Sequence, residues 1–410
     1  MKTPEAGPDD IGHSSTLPVA VIGAGPIGLA AAFRLSELGH DVTVLEREDV
    51  GHALTRWGAT RFFTPLGMNV PAGFRELLGG GLPPDDVLLT GPEMVERVLK
   101  PVARSPLLVD RIRTRHRVVA IGRAGMTRGD HAGHPLRAER PFHLLVDTPE
   151  GERRFEAEVV LDASGVSGQP AFLGSGGIPA AGERALSDRL VRDLGTLEER
   201  LPALAGRHTL LVGHGHSAAT AVLRLAALAG QEAATATLVT WAVRSANTRP
   251  VLEAIPDPLP ERQRVASVAN DLAQAPPPFL TVRRKASVEG VGSKGPSIRV
   301  RFSSGAQEDF DSVVALTGFR PDLSFVSELA LEISPATEGS ARLSRALSNV
   351  TDCLSVPAVT AADLASGEAG FYMLGAKSYG RSRTFLIRTG LAHLEAILPA
   401  VESGSGTGFA

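Results

Sequence analysis

Residues 19–46, VAVIGAGPIGLAAAFRLSELGHDVTVLE, read in order as strand, turn, helix, strand and acid. The apolar run Val19-Ala20-Val21-Ile22 predicts a buried parallel strand. It meets Gly23-Ala24-Gly25-Pro26-Ile27-Gly28, where the chain must turn sharply into a helix. Gly23 permits the turn, Gly25 lets phosphates approach bare backbone, and Gly28 lets the helix pack close to the strand. The helix places Ala31, Leu35 and Leu38 on one face, and its N-terminal N–H groups and positive dipole end suit an anion. Gly39-His40 ends it. A second strand, Asp41 to Leu45, delivers Glu46 about twenty residues beyond the glycines, where a carboxylate accepts hydrogen bonds from a ribose. A glycine triplet alone is a weak signal, but the whole ordered set predicts a site for the pyrophosphate and ribose of an adenine dinucleotide.

The device recurs near residue 210. Thr209-Leu210-Leu211-Val212 predicts a strand, Gly213-His214-Gly215-His216-Ser217-Ala218 the turn, and Ala221, Leu225 and Leu228 one face of the following helix. The next strand is expected over Thr237 to Val243. Aligning VTVLERE (42–48) with VTWAVRS (239–245) sets Val243 opposite Glu46, so the second copy lacks the ribose-binding acid. Arg244 follows at once, with Arg249 close by. An arginine with no carboxylate to repel a phosphate suits the 2′-phosphate of NADPH, although a solvated arginine after a strand would read the same way.

Length and composition agree with two nucleotide units. The 410 residues exceed one core, and 43% hydrophobic content with a formal net charge of −3 describes an ordinary soluble chain with no electrostatic reason to bind nucleic acid. No stretch is long and apolar enough for a transmembrane helix. The opening MKTPEAGPDDIGHSST has acidic residues where a secretory signal needs an apolar core. It reads as a disordered leader, 1–17, on a cytoplasmic protein, and 401–410 reads as a flexible tail. Cys353 is the only cysteine, which excludes an internal disulfide and a paired-cysteine redox centre. Its surroundings, Val350 to Leu354, resemble a loop leading into a strand, and a structural thiol is the favoured reading.

Between the two glycine motifs, Val50 to Gly81 is irregular and contains Arg56-Trp57-Gly58-Ala59-Thr60-Arg61-Phe62-Phe63. Thr90-Gly91-Pro92-Glu93 reads as a helix start. Strands are expected at Arg117–Gly122, which includes Val119, at His143–Asp147 and at Glu156–Leu161, as a small antiparallel layer over the first unit. The strand ending Leu161-Asp162-Ala163-Ser164-Gly165 recurs as Leu316-Thr317-Gly318-Phe319-Arg320-Pro321-Asp322, each stopping at small residues that let backbone pass a bound dinucleotide. A last helix is expected from about Thr384 to Leu398, pointing its N-terminus toward the first nucleotide site.

This nested order resembles the flavoprotein group that includes flavin-containing monooxygenases, N-hydroxylating monooxygenases and thioredoxin-reductase-like enzymes. The resemblance covers nearly the whole chain. It implies an α/β fold of two nested, Rossmann-like, three-layer β/β/α units: an FAD-binding unit over 18–170 and 311–400, interrupted by an NADPH-binding unit over 171–310. Residues carried over by motif are Gly23, Gly25, Gly28, Glu46, Gly213, Gly215, Ser217 and Arg244. Further cofactor contacts are expected from Arg47, Trp57, Arg61, Val119, Gly165, His216, Thr317, Gly318 and Gly375. The chain departs from the group in three ways. Relatives that reduce low-molecular-weight disulfides can carry a cysteine where Ile27 stands. Their Gly-Asp near the C-terminus is Gly375-Ala376 here. The histidine fingerprint of flavin-containing and Baeyer–Villiger monooxygenases is missing, with no histidine between Gly165 and Arg207.

These features predict an FAD-dependent, NADPH-oxidising enzyme for a small-molecule substrate. Without a cysteine pair, the electron acceptor is dioxygen, a quinone or a small reducible substrate. The favoured expectation is a monooxygenase that attacks a nucleophilic nitrogen or sulfur through a flavin hydroperoxide in a dry site. A reductase of a quinone or small disulfide is the alternative, and a redox-sensing or assembly flavoprotein a third. Lys377, Tyr379 and Arg381 are the candidate catalytic residues. A cation there would stabilise reduced flavin and the phenol would donate to an oxygen intermediate, while ion pairing or simple exposure would explain the same cations.

Overall fold

The computed structural model describes residues 17–231 and 236–402. The expected leader and tail lie outside these residues, apart from Leu17 and from Val401-Glu402, which close the last helix. β1 (Val19–Ile22) is buried at every position and runs parallel to β2 (Val42–Glu46), which in turn pairs with β3 (Ile112–Thr114). Between β1 and β2, α1 (Pro26–Glu37) buries Ala31 and Leu35 completely. Leu38 falls just past its end and is 39% exposed, because Gly39 at φ +85 turns the chain away one residue before the apolar face would close.

The helix start expected at Thr90 is present, as a capping box with Glu93, and opens a helical run to Ala103 through a π turn at Val95–Leu99. Three antiparallel strands follow: β4 (Arg117–Arg123), β5 (Phe142–Thr148) and β6 (Gly151–Ala157). The expected strand Glu156–Leu161 is two strands. The chain leaves β6 at Ala157 and re-enters the first sheet as β7 (Val159–Asp162), parallel to β1.

The second unit repeats the plan. A five-stranded parallel sheet is ordered β11-β10-β9-β15-β8, from β8 (Leu190–Val191), β9 (His208–Val212), β10 (Leu238–Ala242), β11 (Leu280–Arg283) and β15 (Ser312–Ala315). α2 (Leu194–Leu204), α3 (His216–Ala229) and α4 (Pro260–Gln274) pack on it. Its antiparallel layer is β12 (Val288–Lys294), β13 (Ser297–Phe302) and β14 (Gln307–Phe310). β15 pairs with β9 and β8, so this second sheet extends past the boundary expected at residue 310. The chain then returns to the first sheet as β16 (Phe371–Met373), giving the order β16-β7-β1-β2-β3, and ends in α5 (Ile387–Glu402), a few residues later than expected. No strand follows Cys353. Residues 354–360 are irregular and lead into the helical turn Ala361–Leu364.

Strand alternation explains the three layers. Ala20 and Ile22 face the β4–β6 layer, with Phe142, Leu144 and Val146, while Val19 and Val21 face the helices, with Leu35 and Ile397. In the second unit Leu210 and Val212 face the β12–β14 layer and Leu211 faces α3.

Candidate functional site

The two sheets present the same turn. In the first, Gly23 sits at φ +97, where a Cβ would lie 2.9 Å from the carbonyl oxygen of Ala163. A Cβ on Gly28 would meet the carbonyl oxygen of Gly23 at 1.9 Å, so both positions require glycine. Gly25 differs, since a Cβ there would meet nothing within 4 Å. Gly25 is also the N-cap of α1 and no side chain caps that helix, which leaves its first N–H groups facing open space. This is the cradle that a diphosphate needs.

A cleft of about 730 Å³, part of it open to solvent, extends from the turn. It is lined by the predicted Gly23, Glu46, Arg47, Val119 and Gly165. Glu46 stands at the end of β2 with one carboxylate oxygen accepting from Ala24 N at 2.7 Å and the other from Glu48 N at 2.9 Å. It thus braces the glycine turn and keeps lone pairs able to accept further hydrogen bonds. Arg47 lies over Gly168, where a Cβ would come within 2.7 Å of its guanidinium. Sequence reasoning missed His116, Arg117, Gln169, Asp322, Ser324 and Phe325, which also line the cleft. They come from the start of β4, from loops and from the short helical turn Ser324–Val326, and their place at the cleft depends on tertiary placement.

The second turn matches the first. Gly213 has φ +129 and no room for a Cβ, which would lie 2.2 Å from Leu316 O, while Gly215 faces open space as the uncapped start of α3. Trp241 Nε1 donates to Gly213 O at 2.7 Å and fixes the turn from beneath. Val212 pairs with Ala242 as Ile22 pairs with Leu45, so Val243 does occupy the position of Glu46, and it is fully buried. Arg244 is exposed, and no hydrogen bond or ion pair holds it among the described residues. Arg249 is engaged by Glu253 at 3.1 Å and Asp271 at 2.7 Å, so its charge is already offset. Burial first, then Arg383 and Arg244, keeps the His214 imidazole below its ordinary pKa range. Burial does the same for His216, helped by Arg262. Ser217 is exposed on the first turn of α3. Thr317 donates to Ala171 O at 2.6 Å and Gly318 O accepts from Ala171 N at 2.9 Å, so both residues join the two chain crossings between units.

The loop Arg56–Phe63 bridges the units. Trp57 packs at a tilt against Phe62 with ring centroids 4.8 Å apart, and Arg61 donates to Leu88 O at 2.7 Å, both within the first unit. Facing the second unit, Arg56 pairs with Asp193 at 3.1 Å, Ala59 N donates to Glu198 at 2.6 Å, and Arg224 of α3 donates to Thr60 at 2.8 Å. Phe63 meets the His216 ring edge-on at 5.4 Å. The loop therefore touches α3 beside its glycine turn.

The three candidate catalytic residues are separated by their environments. Lys377 is fully buried, with its Nζ donating to Ser164 Oγ at 3.0 Å and to Asp322 O at 2.6 Å, and ion-paired with Asp162 at 3.0 Å. Tyr379 lies in the core, stacked on His393 with centroids 5.7 Å apart, and burial pushes its phenol upward in pKa. Arg381 is bound to Glu338 at 2.6 and 3.1 Å. Gly375 (φ +63) lets this segment approach the first glycine motif, since a Cβ there would sit 3.2 Å from Ile27.

Known proteins agree with this geometry. Over 44 residues the chain is 57% identical to the small chain of NADPH glutamate synthase from Mycobacterium tuberculosis, a stretch that covers 11% of this chain and 9% of that protein. The chain thus matches under a tenth of the length of its curated relatives. Among solved structures, bacillithiol disulfide reductase from Bacillus cereus superposes with a TM-score of 0.68 at 17% identity, over 95% of this chain and 99% of that one. Ornithine N-hydroxylase from Kutzneria sp. 744 superposes with a TM-score of 0.64 at 16% identity, over 95% and 99%. At such identities the likeness is one of fold. The family model for FAD dependent oxidoreductases matches residues 18–237, from β1 through the second glycine turn. That is more than half of the chain, and the protein belongs to the FAD-dependent oxidoreductase family.

Proposed function

We propose that this oxidoreductase takes a hydride from NADPH held at the second glycine turn and delivers the electrons through FAD directly to a small acceptor, with dioxygen the acceptor in a monooxygenase reaction at a nucleophilic nitrogen or sulfur. FAD, when bound, supplies the exchange between two-electron and one-electron or oxygen chemistry. The protein's share is binding and orientation. Gly23, Gly25 and the open N-terminus of α1 hold one diphosphate, and Gly213, Gly215 and α3 hold the other. Arg244 recognises the 2′-phosphate, with Val243 offering no competing charge. The bridge from Arg56 to Phe63 registers the two sites and narrows water's access between them.

The observation that carries this reading is the state of the one thiol. Cys353 is half-buried, with its Sγ 3.0 Å from Arg262, and burial pushes the thiol up in pKa despite that cation. A thiol kept protonated, in a chain with no second cysteine, is a poor relay to a disulfide. Ile27, buried within the first motif, offers no sulfur either. Direct reduction of a quinone or small disulfide is the second reading, favoured by the fold shared with bacillithiol disulfide reductase.

The fate of the NADPH electrons separates the two. Oxygen uptake matched to hydroxylated product, measured with a panel of amines and thioethers, is the expected result. Equal turnover under nitrogen with an added quinone or disulfide, and no oxygenated product in air, would replace the monooxygenase reading with the reductase one.

A further inference from the structure

The chain crosses between its units twice, outward through residues 164–171 and back through 316–322. The crossings run side by side. Pro170 bridges Phe319, Ala171 N donates to Gly318 O at 2.9 Å, and Arg320 N donates to Gln169 O at 2.8 Å. The Gln169 side chain also hydrogen-bonds Asp322. Both crossings end, on the first unit's side, at one buried atom. Lys377 Nζ donates to Ser164 Oγ at the root of the outward crossing and to Asp322 O at the root of the return, while pairing with Asp162 at the tip of β7. Ser164 is held from its other side as well, by N–H and O–H bonds to Asp162 of 3.1 and 2.6 Å. The Phe325 ring lies 4.4 Å beneath the ammonium.

The same residues wall the first cleft. Ser164, Gly165, Gly168 and Gln169 come from the outward crossing, Asp322 from the end of the return, and Phe325 from the helical turn just beyond it. Lys377 hydrogen-bonds one residue of each wall and is ion-paired with Asp162, so its buried ammonium offers a direct link between them.

We propose that Lys377 is a positioning residue that couples occupancy of the FAD cleft to the crossings that aim the second unit. It acts through Ser164 and Asp322 and touches no substrate. The proposal rests on FAD occupying the first cleft.

Amide hydrogen exchange of the full chain, with and without added FAD, tests it, while flavin absorbance of the same samples reports cofactor binding separately. In the parent, FAD slows exchange in both crossings. Lys377→Met combined with Asp162→Asn removes both charges together and leaves no orphaned carboxylate. With FAD bound, this variant keeps slow exchange at 164–171, but 316–322 exchanges about tenfold faster than in the parent, through loss of the one hydrogen bond that Lys377 gives Asp322 O. A merely structural lysine would raise exchange equally with and without FAD. The proposal instead requires the FAD-dependent change at 316–322 to vanish. Parent-like slowing of 316–322 by FAD in the double variant overturns it. Should that variant not fold, Ser164→Ala decides, since it removes only the hydroxyl link. FAD-bound exchange at 316–322 rising about threefold supports the coupling, and an unchanged response overturns it. Loss of flavin absorbance in the parent would instead remove the cleft assignment on which the proposal stands.

Discussion

Gly23 and Gly213 occupy the same place in two sheets, opposite Glu46 in one and Val243 in the other. Their backbones obey the same demands: a positive φ, no room for a Cβ, and an uncapped helix beyond. What differs is the charge at the end of the second strand. A carboxylate there welcomes ribose hydroxyls and repels a phosphate. A buried valine followed by an arginine that has no ion-pair partner among the described residues would do the reverse. On the proposed reading the common backbone holds a dinucleotide at each turn, and the residues at the end of the second strand select between dinucleotides. The turns also differ at their third small position. Gly28 has a carbonyl oxygen in the place of its Cβ, whereas Ala218 is buried with its methyl accommodated.

That last difference yields the largest expected effect. Gly28→Ala forces a methyl against Gly23 O and should destabilise the first unit by on the order of 3 kcal/mol and abolish FAD retention. Ala218→Gly in the second unit should cost only about 1 kcal/mol, the usual loss for glycine inside a helix. Thermal melts and the flavin absorbance of the two variants give the answer. A yellow Gly28→Ala protein with a parental melting point would show that the two turns are built alike after all.

The contrast between the turns was legible in the sequence because it is local. Glycine spacing, a 3.6-residue period and an acid one strand later are all readable within thirty residues. The layers were readable too, with one slip at Glu158. Phe155, Ala157, Val159 and Leu161 keep an unbroken alternation, so nothing marks the point where the chain leaves one sheet for another. Lys377 was singled out in the sequence, but its buried partners were beyond reach for a different reason. Its partner Ser164 lies 213 positions away, and a lysine in a small-residue turn looks the same whether it faces solvent or a buried aspartate. The triad of Arg123, Arg137 and Glu368, buried and joined at 2.9 Å on both sides, was invisible on the same grounds. Chemistry written in spacing is readable, and chemistry written in closure of distant segments is not.

The cores differ in acid sensitivity. His393, on α5 in the first unit, has both ring nitrogens buried without hydrogen-bond partners, and burial pushes its pKa down to about 4 from 6.5. The folded state holds it neutral while the unfolded chain takes up a proton below pH 6.5. Stability is therefore full above that value and is lost as pH falls toward 4, by roughly 3 kcal/mol in all. Burial lowers the pKa of His214 and His216 at the start of α3 too, so the second unit also loosens in acid. Hydrogen exchange at pH 7 and pH 4.5 should nevertheless show α5 and β1 opening more than α3 and β9, because His393 is shifted furthest. His393→Phe should flatten the difference. Equal acid loosening of both units would remove this distinction between them.

Selectivity comes next in size. Glu46→Ala should weaken FAD by roughly 1.5–3 kcal/mol, because charge-assisted hydrogen bonds to the ribose and to Ala24 N are lost together. Titration of the apoprotein by flavin fluorescence measures it. Arg244→Ala should raise KM for NADPH about tenfold and leave KM for NADH within about twofold, since only NADPH presents a 2′-phosphate. Equal changes for both nucleotides would assign Arg244 to the fold, and the proposed division of labour between the turns would fail.

The smallest effect is expected at Cys353, where the two units meet. Its Sγ accepts from Arg262 of α4, whose guanidinium is already held by Asp257 at 2.7 and 2.8 Å and by Asp352 at 3.3 Å. Serine can take the same hydrogen bond from Arg262, so Cys353→Ser should cost less than about 1 kcal/mol. If electrons leave FAD directly for the acceptor, NADPH oxidation should stay within about threefold of the parent. Stopped-flow absorbance should follow flavin reduction and reoxidation as separate phases, so that a slow step in one cannot hide behind the other. Loss of reoxidation with FAD content and reduction intact would make the thiol a participant. The junction between the units would then be a redox site, and the reductase reading would take the place of the monooxygenase one.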